Sequence, residues 1–81
     1  MNVVNKDRRK ELEKISEKLS GVLGDLESLL DEEENAISGM GGGNLEFTER
    51  YERACQARDS LTEAVSNIEE AISNIEEAVE Q

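Results

Sequence analysis

The sequence from residue 66 to residue 79, SNIEEAISNIEEAV, is one seven-residue unit written twice with a single change, Ile72 against Val79. Residues 59–65, DSLTEAV, are a weaker third copy, and the same register continues back through ERACQAR. Apolar residues that recur at intervals of three, four and seven predict an amphipathic helix. A repeat this regular is typical of helices that pack together along their length, so it predicts an all-α fold.

Three columns at seven-residue spacing run along this helix, which we expect to span about residues 48–80 with Thr48 as its N-cap. One column contains only alanine, and small side chains let a neighbouring helix approach closely. The other two are mainly apolar, so the apolar stripe is three columns wide. The columns are Phe47, Ala54, Leu61, Ile68 and Ile75, then Ala57, Ala64, Ala71 and Ala78, then Tyr51, Arg58, Val65, Ile72 and Val79.

The first half of the chain has the same rhythm and predicts another amphipathic helix over about residues 6–35. Asn5 is expected to be its N-cap, because an Asn side chain accepts a hydrogen bond from the first free backbone N–H groups. The steps of three and four are made by Leu12, Ile15, Leu19, Val22, Leu26 and Leu29, and Leu23, Leu30 and Ile37 form a further column beside them.

A glycine-rich stretch, about residues 38–46, separates the two helices and predicts a loop, because glycine loses the most backbone freedom on entering a helix. Charge predicts how the helices pair. Six basic and four acidic residues give residues 1–18 a net charge of +2, whereas residues 19–37 carry -6 and residues 59–81 carry -7. A parallel pair would set -6 beside -7, so repulsion favours an antiparallel hairpin, which sets +2 beside -7.

Two helices can bury a narrow seam but not three apolar columns each, so a single hairpin would leave aliphatic surface in water. With one cysteine and no histidine in 81 residues, the chain has no intramolecular disulfide and no usual zinc ligand set to stabilise it. We therefore expect a homo-oligomer, either a four-helix bundle of two hairpins or a larger helical assembly. The expected oligomer core is Leu12, Ile15, Leu19, Leu26, Leu61, Ile68, Ile72 and Ile75.

Composition disfavours several functional classes. The net charge of -11 argues against direct binding to nucleic acid or to anionic membranes, which draws its affinity from Lys and Arg. No apolar run approaches the ~20 residues that span a bilayer, and the first residues do not resemble a signal peptide, so a cytoplasmic protein is expected. The lack of histidine and of a nucleophile–base pair predicts a non-enzymatic protein without cofactor or metal. We interpret Cys55 as a small residue at a helix contact.

The stretch SGMGGGNLEFTERYER, residues 38–53, contains the candidate ligand-binding residues. Glycine-rich backbone that leads into a helix N-terminus is a recurring anion site. Arg50 and Arg53 offer guanidinium groups suited to phosphate, and Thr48 adds a hydroxyl. Tyr51 can stack on a base. The alternative interpretation of this stretch is a flexible connector followed by a capped helix.

The basic cluster KDRRK, residues 6–10, also has two interpretations. It either neutralises the acidic end of the second helix, or it serves an oligomer. In the second case Arg8 and Arg9 of one chain approach another chain and complete a pocket that no single chain has.

Three segments carry a resemblance to a known group of proteins: DEEENA before the glycine-rich loop, TERYE after it, and the SNIEEA heptads. With them the whole chain resembles small uncharacterised acidic helical-hairpin proteins of bacteriophages and other mobile elements. In those proteins glycine usually follows the Thr-Glu-Arg step, whereas Tyr51 follows it here. Proteins of this kind include counter-defence proteins that sequester nucleotide immune signals, such as cyclic dinucleotides, in pockets between subunits.

The resemblance implies a non-enzymatic phage-type counter-defence protein in the cytoplasm of a bacterial host cell. It would hold a nucleotide with Thr48, Arg50, Tyr51 and Arg53, joined by Arg8 and Arg9 of a neighbour. The alternatives are an acidic antagonist or DNA mimic that binds a basic host or phage protein, and a structural assembly factor.

Overall fold

The chain is a helical hairpin. The computed structural model describes residues 5–40 and 45–81, with the side chains of all of these except residues 45–47. Helix α1 spans Lys6–Ser38 and helix α2 spans Leu45–Glu80. The two helices pack antiparallel into a rod of 63 × 15 × 12 Å, and the described residues contain no β-strand. The predicted all-α hairpin is therefore confirmed.

The start of α1 is where the sequence predicts it. The Asn5 side chain accepts a hydrogen bond of 2.8 Å from the backbone N–H of Arg8, so the predicted N-cap is confirmed. This bond satisfies one of the four N–H groups that have no partner inside the helix.

The end of α1 lies three residues beyond the predicted one, at Ser38. Ile37 is only 7% exposed, and its burial against α2 favours continuing the helix to this point. The N–H of Gly39 donates to the carbonyl of Asn35 at 3.1 Å, and the N–H of Met40 donates to that of Ile37 at 3.0 Å. These two bonds satisfy carbonyls of the last turn.

The predicted start of α2 is wrong by three residues. The helix begins at Leu45, so Thr48 lies inside it and is not its N-cap. The residues from Leu45 onward include no glycine or proline, so nothing in them opposes a helix that begins before Thr48. Of the predicted glycine-rich loop, residues 41–44 lie outside the described residues.

Side-chain exposure identifies the columns that form the seam between the helices. Ile37 and Val65, at 7% and 9% exposed, are the most buried residues described. The column of Leu23 and Leu30 lies in the seam with Ile37. The seam consists of Leu12, Ser16, Leu19, Leu23, Leu26, Leu30, Glu33 and Ile37 on α1, and of Ala54, Arg58, Leu61, Val65, Ile68, Ile72, Ile75 and Val79 on α2.

Three residues of the predicted apolar series of α1 lie outside this seam. Ile15, Val22 and Leu29 are 44%, 50% and 57% exposed. Each helix of a pair can direct only two neighbouring columns at its partner, so the third column stays in solvent. Ile15, which we expected in an oligomer core, is therefore not part of the core of one chain.

Two observations indicate the relative register of the helices. Arg58 on α2 lies close enough to Glu34 on α1 for the carboxylate of Glu34 to help raise the pKa of Arg58. Further along, Glu17 and Glu76 line one groove. Glu34 and Glu17 are almost as far apart along α1 as Arg58 and Glu76 are along α2. The two helices therefore keep one antiparallel register between these points. Continued the other way, this register places the end of α1 level with about residue 54, so that roughly the first two turns of α2 project beyond α1.

Candidate functional site

One side of the hairpin is apolar. In α1 the seam separates the column of Ile15 from the column of Glu13, and in α2 it separates the column of Ala78 from that of Glu76. Because Glu13 and Glu76 line the same groove, the two apolar columns must share the other side of the rod. We call this side the apolar face. It consists of the exposed Ile15, Val22 and Leu29 on α1 and of the half-buried Ala64, Ala71 and Ala78 on α2, which border the seam.

Large and small side chains lie beside each other along the apolar face. In the register given by the groove, where Glu13 and Glu17 lie opposite Glu80 and Glu76, Leu29 is about level with Ala64. The same register puts Val22 level with Ala71, one heptad further along, and Ile15 level with Ala78. The face is therefore a row of three large side chains next to a row of three alanines, with a step in height between the two rows.

The opposite side of the rod is acidic. We call it the acidic face, and it carries Glu13, Glu27 and Glu34 on α1 and Glu69 and Glu76 on α2. A groove of about 420 Å³ on this side is lined by Glu13, Ser16, Glu17, Glu76, Val79 and Glu80. The described residues contain no group of three or more His, Cys, Asp or Glu side chains arranged to hold a metal ion.

The side chains in this groove differ from the predicted pairing of the basic start of α1 with the acidic end of α2. The start of α1 does lie beside the end of α2, as the antiparallel hairpin requires. The side chains that meet in the groove are nevertheless glutamates from both helices. Lys14 instead pairs with Glu11 of its own helix at 3.8 Å, and both side chains are exposed. Such a pair contributes only about 0.3–0.5 kcal/mol.

The projecting turns of α2 carry the candidate ligand-binding residues. Arg50 stands in the alanine column and extends the apolar face past the end of α1. Arg53, one turn later, lies about 60° round the helix axis from Arg50 and so points to the same side. Tyr51 is 42% exposed and lies about 100° from Arg50 and about 160° from Arg53, so it is on another side of the helix. Thr48 lies about 160° from Arg50, so the structure does not bring it together with the two arginines.

The other two predicted ligand residues lie at the opposite end of the 63 Å rod. Arg8 is exposed and stands at the head of the column that continues with Ile15 and Val22, so it extends the apolar face at that end. Arg9 is half-buried and continues a seam column. Within one chain neither residue can reach Arg50.

Arg58 is a charged residue in the seam. The sequence places it in an apolar column, but only the structure shows which residues it contacts. Its Nη2 and Nε donate to Asp59 Oδ1 at 3.1 Å and 3.2 Å. This hydrogen bond and the attraction of the same carboxylate raise the pKa of Arg58 above its ordinary value, with a smaller contribution from Glu34. Cys55, also half-buried, stands in a column on the acidic side of α2.

Two further findings bear on function. Over the described residues, neither helix has an apolar segment long enough to cross a bilayer. Comparison of the chain with protein-family models, with curated proteins and with solved structures finds no match. The resemblance to phage hairpin proteins stays a prediction.

Proposed function

We propose that this chain is a non-enzymatic binding protein that works as a homo-oligomer and sequesters a small phosphate-bearing nucleotide of the cyclic dinucleotide class between subunits. One observation carries the proposal: Arg50 continues the alanine column of the apolar face beyond the end of α1. When two chains cover each other's apolar faces, Arg50 therefore lies at the edge of the contact between them. No bond in the ligand is broken, and binding lowers the concentration of the free signal.

The chemistry of the projecting turns suits an anionic ligand. Arg50 and Arg53 lie on one side, about one turn apart, and both are exposed. Two guanidinium groups at this spacing can bind phosphate oxygens through charge-assisted hydrogen bonds. Tyr51, which we expected to stack on a base, lies on another side of the helix and is not needed for this contact. Arg8 and Arg9 join this site only if a neighbouring chain runs in the opposite direction, so their role depends on how the chains assemble.

The test is retention of ligand by the purified protein. The protein is incubated with a panel of cyclic and linear nucleotides, freed of unbound material by filtration and denatured, and the released compounds are identified. We expect one class of nucleotide to be released chemically unaltered. Retention of none of them would contradict the proposal.

Point variants locate the site. Arg50→Ala and Arg53→Ala each remove charge-assisted hydrogen bonds worth about 1.5–3 kcal/mol, so each should weaken retention by roughly 10- to 100-fold. Lys14→Ala is the matched control, because it removes the same charge from an exposed site near the other end of the rod. Retention that is equal in all three variants would remove the site from the projecting turns.

A second candidate function is supported by the acidic face. Its glutamates form a negative strip, interrupted at Ser20 and Thr62, on a chain of net charge -11, which suits a partner with a basic surface, such as a DNA-binding protein. Replacing Glu69 and Glu76 by glutamine should then weaken the capture of that partner and reduce its salt dependence. Capture that the double variant leaves unchanged would exclude this role for the acidic face.

A further inference from the structure

We propose that the partner of the apolar face is a second copy of the chain, held so that α1 of each copy lies on α2 of the other and the projecting ends of both α2 helices lie together. This inference rests on the assembly assumed in the proposed function and adds its contact surface and orientation. In this arrangement a two-fold axis runs parallel to the long axis of the two rods.

The shape of the face argues for this orientation. A two-fold axis along the rod keeps every residue at its own level and exchanges the two rows of the face. Val22 of one copy then packs on Ala71 of the other, and the heptads above and below pair in the same way. Each large side chain meets an alanine, which is the complementary packing that buried helix contacts require. The reversed orientation would set large side chains on large ones and alanine on alanine.

Charge near the face permits two copies to meet in spite of the net charge of -11 on each. Between residues 57 and 78 of α2, neither the alanine column nor the column on its outer edge contains a charged residue. The acidic side chains of α2 stand in other columns. The outer edge of the apolar face is Ser60, Asn67 and Asn74 on α2, and Lys18, Asp25 and Glu32 on α1.

The same outer edges lie along each other in the contact. In the proposed orientation, the charged edge of α1 lies along the uncharged edge of the partner's α2, where amides and hydroxyls can hydrogen-bond to it. In the reversed orientation α1 lies along α1, which brings Glu11 of one copy level with Glu32 of the other and Lys18 level with Asp25, each pair twice. The repulsion of the first pair and the attraction of the second offset each other, so the packing of the large row on the alanine row decides the orientation.

The orientation has a consequence for the ligand. Arg50 and Arg53 of both copies lie at one end of the assembly, around the two-fold axis. Arg8 and Arg9 of both copies lie at the other end and do not join this site. A ligand with two phosphates related by two-fold symmetry matches the site better than a linear nucleotide does.

The first experiment measures mass in solution without any nucleotide, by light scattering after size exclusion. The wild-type chain should have twice the mass of one chain. Val22→Glu places a charge in the centre of the apolar face and should halve the measured mass. Ser20→Glu makes the same change in charge in a column on the acidic side of α1 and should leave the mass unchanged. A wild-type mass of one chain, or of more than two, overturns the proposal.

The second experiment tests orientation and does not depend on a disruptive variant. In a Cys55→Ala background, one chain carries Val22→Cys and another carries Ala71→Cys. After mixing and mild oxidation, we expect a disulfide between the two different chains and none between two copies of the Val22→Cys chain, because bridged Cα atoms must lie within about 7 Å. A disulfide between two Val22→Cys chains overturns the proposed orientation. Neither experiment contains ligand, so a failure of nucleotide retention leaves both results standing.

Discussion

Replacing Gly21 and Gly24 of α1 by alanine should stabilise the hairpin. Both glycines lie on the exposed side of α1, away from α2. A Cβ atom added at either position meets no atom within 4 Å beyond its chain neighbours and the backbone of its own helix, and neither glycine has a positive φ. Alanine therefore fits at both sites without strain, and its lower backbone entropy in the unfolded chain favours the helix.

The size of the effect follows from helix propensity. An exposed glycine inside a helix is about 0.8–1.0 kcal/mol less favourable than alanine, so the double variant should gain about 2 kcal/mol in the free energy of unfolding. For a domain of this size each kcal/mol raises the midpoint of thermal unfolding by about 4–8 °C, so we expect a rise of roughly 8–16 °C.

The assay is thermal unfolding followed by far-UV circular dichroism at several protein concentrations, because association also raises the midpoint. Ser28→Ala is the matched control, since Ser28 is exposed on the same side of α1 and should gain only about half as much as one glycine site. A double variant that is less stable than wild type would refute the reasoning. It would mean that another chain approaches α1 at these glycines, as in an assembly larger than two hairpins.

Three further predictions concern the hairpin and its assembly. Asn5→Ala removes the cap bond to the N–H of Arg8 and should lower the free energy of unfolding by about 1 kcal/mol, whereas Asn5→Ser should largely keep it, as measured by urea titration. Ile37→Ala should cost about 2 kcal/mol in the same titration, because Ile37 is 7% exposed in a narrow seam; a loss below about 0.5 kcal/mol would mean that the seam is not packed there. Raising the salt concentration from about 0.05 M to about 0.5 M should strengthen self-association, because salt screens the repulsion between chains of net charge -11. Sedimentation measures the dissociation constant, and weaker association in high salt would show that ion pairs between chains dominate.

The sequence identifies the types of residue in the candidate site but does not predict which of them lie together. The sequence places Thr48, Arg50, Tyr51 and Arg53 together because they are close along the chain. In a helix that begins at Leu45 they point in different directions, and only the two arginines share a side. The separation of Arg8 from Arg50 by the length of the rod likewise follows from the antiparallel packing.

The sequence by itself determined that the chain forms two amphipathic helices, where α1 begins, and that each helix has three apolar columns. Those properties depend on residues a few positions apart, which a helical period reveals. Only the tertiary structure decided that the column of Leu23 lies in the seam while the column of Ile15 stays exposed, and that α2 projects beyond α1. The reason is that a stripe three columns wide can face its partner through either pair of adjacent columns. The choice between them, and the register that goes with it, is made by both helices at once and is encoded in neither alone.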